Sequence, residues 1–193
     1  MASLVIEEAQ SLATDPTVLY FFCRNSDNDR DNFASLARSL LCQLLEQHRD
    51  NLLPFYFDKY ANSTDAVLVR HSTIEDLLHV SIRNCPNVYI VLDGIDECSR
   101  KEREVIATWF RELVESPSSK PDQIRCLFVS QDDGIARKDF ARLSTIKVRS
   151  EDNKADIERF SSKWALQIQK KFEVPDKRRD EIGNKIGEAA GGE

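Results

Sequence analysis

The sequence predicts an α/β fold, a parallel sheet flanked by helices, and three observations carry that expectation. Residues 17–23 (TVLYFFC) are β-branched and aromatic without alternation, as in a strand buried on both faces, and the runs 88–92 (VYIVL) and 124–130 (IRCLFVS) are two further strand candidates. The segments between them place apolar residues at helical spacing, so strands and helices alternate along the chain. Finally, 193 residues, 41% hydrophobic and 31% charged, suffice for one sizeable core and argue against disorder.

In chain order, Ala2, Val5, Ile6, Ala9, Leu12 and Ala13 recur at helical spacing from the first residues, and the Asp15-Pro16 turn leads into the first strand. After the polar loop RNSDNDRDN, Phe33, Leu36, Ala37, Leu40, Leu41, Leu44 and Leu45 form the strongest amphipathic stripe of the chain. Residues 49–71 fit either a short helix or a loop laying its aromatic residues on the core. Ser72 to Glu75 read as a capping box opening a helix that Cys85-Pro86 ends. Following the second strand, Ser99 and Glu102 form another capping box, with Ile106, Trp109, Phe110, Leu113 and Val114 as the buried stripe, until SPSSKPD stops the helix. Beyond the third strand, residues 145–148 are expected to form a short fourth strand. A long helix follows with the stripe Ile157, Phe160, Trp164, Ile168 and Phe172, then a last helix over 176–190. No repeat, low-complexity segment or linker-like shift in composition appears, so one domain is expected.

A formal net charge of −6 and a pI near 5.2 give no general attraction for nucleic-acid phosphates or anionic lipid, so neither nucleic acid nor membrane is an expected partner. The longest apolar runs fall far short of the roughly 20 residues a membrane-spanning helix needs, and no signal-peptide pattern opens the chain. A cytoplasmic location is therefore expected, with the five cysteines (Cys23, Cys42, Cys85, Cys98, Cys126) reduced. Their odd number and lack of CxxC spacing fit core residues better than a disulfide frame or a zinc site.

The stretch NVYIVLDGIDEC, residues 87–98, is apolar and then abruptly acidic. Ligands of parallel α/β sheets bind at the carboxyl ends of the strands, where Asp93 falls. A carboxylate delivered there suits Mg²⁺, a hard ion that prefers oxygen ligands and keeps several waters. Asp96 and Glu97, a few residues on, are placed to orient or deprotonate an attacking water, and Gly94 lets the backbone turn between them. The simpler alternative is an ordinary Asp-Gly turn whose Asp96, Glu97 or Ser99 cap the next helix.

The pattern of five apolar residues followed by DGIDE resembles the Walker B motif of NACHT-type signal-transduction NTPases. TVLYFFCRN followed by LARSLLCQLLEQ resembles the second strand and helix of the large fungal NACHT proteins, related to the nephrocystin-3-like N-terminal NTPase module. IRCLFVSQDDG resembles their next strand with its sensor position, and DIERFSSKWALQIQKKF the helix after their final strand. The resemblance spans nearly the whole chain, most specifically in the Walker B block. It implies a nucleotide-dependent switch within a multidomain parent carrying an effector and C-terminal repeats, which binds Mg²⁺ with ATP or GTP and forms a homo-oligomer. It also implies Asp93 as the metal residue, Asp96 and Glu97 as the catalytic acids, and Ser130 and Gln131 at the sensor position toward the nucleotide.

Two features depart from that pattern. None of the six glycines is followed by Lys, so the GxxxxGK[ST] loop that grips phosphates is missing. In the family that loop precedes a helix resembling residues 2–13, which implies that residues 1–193 are the Walker B and sensor half of the domain, without its first strand. The second departure is Gln131, where many members carry Arg. Gln can donate a hydrogen bond to phosphate but has no charge, and Ser130 and Gln131 equally suit a loop that merely satisfies itself.

The remaining constellations are weaker. His48, His71 and His79 lack metal-ligand spacing and suit surface or packing roles, and Trp109 and Trp164 lie on apolar stripes as core residues. Lys170, Lys171, Lys177, Arg178 and Arg179 read as a solvated helix face. Three readings follow: a fragment of a NACHT-like NTPase, inactive alone; a non-catalytic interaction domain derived from one; and, last, a metal-dependent phosphohydrolase using Asp93, Asp96 and Glu97.

Overall fold

A computed structural model of the protein describes residues 1–60, 71–116, 123–131, 138, 140 and 143–191. These residues fall into two compact units, Met1–Arg142 and Leu143–Glu193.

The first unit is built on a three-stranded, wholly parallel sheet of β1 (Thr17–Phe22), β2 (Val88–Asp93) and β3 (Ile124–Val129), in the order β1-β2-β3. The register runs Thr17, Val88, Ile124 at one end and Phe22, Asp93, Val129 at the other. β1 and β2 are buried because both faces are covered: β2 has four of its six residues buried, and they include consecutive ones, Ile90 to Leu92, whereas in β3 Ile124 is buried but Arg125 and Leu127 are exposed. One face carries α1 (Ala2–Gln10), whose Ala2, Ile6 and Ala9 pack with Val18 and Val91. On the other face, Leu19, Phe21, Ile90, Leu92 and Ile124 join the main core with α2 (Phe33–Gln47), α4 (His71–Arg83) and α5 (Arg100–Glu115). The amphipathic stripe of α2 is buried as its spacing predicts, from Phe33 to Leu44.

The sheet is closed at β1 by side chains instead of a strand. Gln43 accepts the Tyr20 N–H at 3.0 Å and donates to the Tyr20 carbonyl at 2.8 Å. One turn later along α2, Gln47 does the same to Val18, at 3.3 and 3.0 Å. Two amide side chains thus imitate a neighbouring strand and satisfy groups that would otherwise face outward.

Residues 49–71, ambiguous in sequence, contribute α3 (Arg49–Tyr60), with Leu52 buried and Tyr56 bonded to Ser81 at 2.8 Å; residues 61–70 lie outside the described part. The capping box at Ser72 is not where the helix begins. His71 is already helical, so Ser72 lies within the first turn. Ser99 does cap α5, accepting the Glu102 N–H at 3.3 Å, but Glu102 does not complete a reciprocal box. Its carboxylate instead accepts the N–H of Phe33 at 2.9 Å, tying the start of α5 to the first turn of α2.

The second unit contains α6 (Ser150–Phe172) and α7 (Asp176–Gly191), a helical hairpin that turns at Glu173 in the left-handed region, φ +51°. Arg149 N–H donates to the Asp152 carboxylate at 2.8 Å and so starts α6. Gly183 and Gly187 let the helices approach; a β-carbon on Gly183 would stand 3.5 Å from that of Ala165. Two expectations fail in this unit. Residues 145–148 form no strand: the segment is exposed, with Ile146 89% accessible, and β-branched composition without a paired neighbour does not make one. The aromatic stripe of α6 is likewise not core. Phe160, Trp164 and Phe172 are exposed, and the hairpin instead buries Ser161 and Ala165, because the glycine-lined face of α7 admits only small residues.

Candidate functional site

The acidic residues occupy the carboxyl end of the central strand. Asp93 is the last residue of β2, flanked in register by Phe22 and Val129. Gly94 then adopts φ +70°, a left-handed conformation that glycine takes without strain, and the chain enters a single 3₁₀ turn, Ile95–Glu97. The fit is close: a β-carbon on Gly94 would stand 3.1 Å from the Cys23 carbonyl. Ile95 is fully buried in the main core, so the turn is anchored by its apolar residue while Asp96 and Glu97 are left at the surface. Ser130 and Gln131 directly follow β3, whose last residue pairs with Asp93, so all five residues singled out in sequence lie at the same end of the sheet.

Their partners differ. Asp96 Oδ1 accepts the backbone N–H of Gln131 at 3.2 Å, and Glu97 Oε2 accepts that of Asn25 at 2.8 Å. Each acid therefore fastens one flanking loop to the central turn. Asp93, partly exposed, has no hydrogen bond or ion pair to its carboxylate among the described residues. Gln131 takes part through its main chain, which any residue there would offer. Asn25 was not legible as a site residue, since its role is a backbone contact reaching across 72 positions.

No cluster of three or more His, Cys, Asp or Glu is placed to hold a metal ion among the described residues. The donor set consists of one unengaged carboxylate, Asp93, with two engaged ones nearby. That set fits a hard cation held mostly through water, as Mg²⁺ is, and does not fit a metal enclosed by protein ligands.

Beneath the turn lie two thiols. Cys23 and Cys98 belong to the same buried cluster and interact with each other. The influence of Cys98, together with burial, pushes the Cys23 thiol far above the ordinary range, while that of Cys23 draws Cys98 downward.

A parallel α/β domain with an acidic turn at the carboxyl end of its middle strand defines the class. Within that class, residues 1–131 match the model of the family described as nephrocystin 3, N-terminal, and the chain belongs to that family. The match covers the sheet and ends at Gln131, the residue held by Asp96. The family's description is that of the N-terminal part of a larger protein. No curated protein matches the sequence significantly. None of the described helices is long and apolar enough to cross a membrane.

Proposed function

We propose that residues 1–193 are the Walker B and sensor half of a NACHT-like signalling NTPase, working inside a multidomain parent that binds Mg²⁺ with ATP or GTP. The observation that supports this reading is the free carboxylate of Asp93 at the end of the central strand, beside an acidic turn linked to the loop after β3. Asp93 would hold the Mg²⁺ through its waters, and the ion would supply charge neutralisation at the phosphates. Asp96 and Glu97 would orient the attacking water, and Ser130 with Gln131 would face the terminal phosphate. The Asp96–Gln131 bond gives the switch a physical basis, because a ligand that draws Gln131 away must break a contact to the acidic turn. In the parent, effector and repeat domains and a homo-oligomer would read that change.

The chain alone is expected neither to bind nor to hydrolyse nucleotide appreciably, since its sequence holds no GxxxxGK[ST] to grip a triphosphate. Titration calorimetry with Mg-ATP and Mg-GTP tests this, and micromolar binding of either would overturn it. Mn²⁺, used as a paramagnetic stand-in for Mg²⁺, should broaden the amide signals around Asp93 weakly and lose that effect in Asp93→Asn. Broadening centred elsewhere would remove Asp93 from the metal role.

A second reading is favoured by a specific observation. Both Asp96 and Glu97 already accept main-chain N–H groups, which is what a structural latch in a non-catalytic interaction domain would show. The two readings part on the parent's activity: Glu97→Gln should abolish hydrolysis in the first and leave partner binding intact in the second.

A further inference from the structure

Residues 23–25 run beside residues 93–98 through two main-chain donors. Cys23 N–H donates to the Asp93 carbonyl at 2.8 Å, and Asn25 N–H donates to the Glu97 carboxylate at 2.8 Å. Arg24 stands between these anchors. Its own N–H donates to the Arg30 carbonyl at 3.0 Å and its carbonyl accepts the Asp27 N–H at 3.3 Å, so its main chain is spent inside the loop and held beside the acidic turn. Its side chain is not engaged. Arg24 is exposed, and its guanidinium makes no hydrogen bond or ion pair among the described residues, whereas Arg30 in the same loop pairs with Asp27 at 3.8 Å. The segments that follow the three strands, residues 23–25, 94–98 and 130–131, contain no cation other than Arg24. Asp93, Asp96 and Glu97 bring negative charge there, and Ser130 and Gln131 offer hydrogen bonds without charge. Arg24 is not taken up in neutralising those acids, since Asp96 and Glu97 already accept the N–H groups of Gln131 and Asn25.

Resting on the reading of this end of the sheet as a Mg²⁺-nucleotide site, we propose that Arg24 is a phosphate-binding residue, whose guanidinium takes the terminal phosphate and supplies the positive charge that Ser130 and Gln131 lack. A guanidinium is permanently charged and presents paired N–H donors that match two phosphate oxygens at once. In phosphoryl transfer, where charge gathers on the oxygens of the transferred group, such a cation stabilises what the carboxylates of the site would repel. The anchors on either side give the contact a consequence. Because Cys23 is bonded to Asp93 and Asn25 to Glu97, a phosphate drawn to Arg24 acts on the metal residue and on the acidic turn together.

The test uses the folded chain, isotope-labelled for NMR, with inorganic tripolyphosphate and Mg²⁺ at millimolar concentration as the probe. The backbone amide and side-chain Nε–H signals of Arg24 are expected to shift saturably, with smaller shifts at the amides of Asn25 and Glu97. Arg24→Gln should abolish the shifts at Asn25 and Glu97, Arg24→Lys should keep part of them, and Arg30→Gln should leave them intact. Arg24 is exposed, so its variants should keep the native thermal midpoint. Arg24 signals that do not move, shifts of the same size in Arg24→Gln, or shifts spread evenly over Arg100, Lys170 and Lys171 would overturn the proposal. Failure of the underlying reading looks different. Mn²⁺ broadening centred away from Asp93 removes the metal site and this proposal with it, whereas broadening at Asp93 beside an unresponsive Arg24 removes the phosphate contact alone.

Discussion

Asp96 and Gln131 are joined by a hydrogen bond of 3.2 Å from the backbone of one to the carboxylate of the other, which clasps the loop after β3 to the turn after β2. With Glu97 holding Asn25, the acidic turn works as a two-sided clasp across the end of the sheet. Consequences for loop order, stability and pH response follow from it and from the contacts around it.

Removing one side of the clasp should free only its own loop. Asp96→Ala is expected to speed amide exchange at Gln131 while Asn25 stays protected, and Glu97→Ala should do the reverse. Glu97 is exposed and Asp96 half-buried, and each loses a single main-chain hydrogen bond, so the change in global stability should stay at about 1 kcal/mol or below. Equal loosening of both loops by either variant would show that the turn itself, not the individual bonds, orders them.

Gly94→Ala should be more damaging than either. The left-handed φ of +70° costs a non-glycine residue about 1–2 kcal/mol, and the new β-carbon also presses on the Cys23 carbonyl. Asn, which tolerates this conformation better, should lose less than Ala does. A denaturant series on the three proteins checks the order.

Glu102 caps a helix it does not belong to. Because its carboxylate takes the N–H of Phe33 at the partly buried start of α2, Glu102→Ala should cost about 1–2 kcal/mol. Ser99→Ala, which removes only the cap of α5 itself, should cost about 1 kcal/mol. The two losses should be close to additive, as a double variant would show.

His79 should make the fold weaken in mild acid. Burial first, and Arg83 second, hold its imidazole below the ordinary range, with Asp76 pulling the other way. Protons are therefore bound more readily by the unfolded chain: stability is present above the ordinary histidine value of about 6.5 and is lost as pH falls through the lower folded value. Thermal midpoints recorded from about pH 7.5 to about pH 5 should fall more steeply for the native chain than for His79→Gln. Parallel curves would remove His79 from the acid response.

The extent to which all this was legible in the sequence differs by element. The runs at 17–23 and 88–92 form strands because unbroken apolar character reports burial on two faces, a property local sequence records well, and the run at 124–130 forms a strand although Ile124 is its one buried residue. The placement of Asp93, Asp96 and Glu97 followed from the same reasoning, since a strand has a fixed direction and a glycine marked the turn. The segment 145–148 misled because β-branched residues indicate fitness for a sheet without supplying a neighbour. Phe160 and Trp164 misled for a related reason: helical spacing reveals a stripe but not what covers it, and glycines on α7 made the small-residue face the buried one. The contacts of Glu102 with Phe33, Glu97 with Asn25 and Gln43 with Tyr20 were out of reach, because each joins residues far apart in sequence.

The amides of Gln43 and Gln47 give the sheet a polarity of growth. At β1 every outward-facing group of Val18 and Tyr20 is already taken, so a strand arriving there would have to displace four hydrogen bonds that are internal to the domain. At β3 the register turns the backbone groups of Ile124, Cys126 and Phe128 away from β2, and none of them has a partner among the described residues. Strand addition to this module, whether within a longer polypeptide or between molecules, is thereby confined to one side. Tags, fusions and fluorescent reporters should be tolerated beside β1 and should interfere with assembly beside β3.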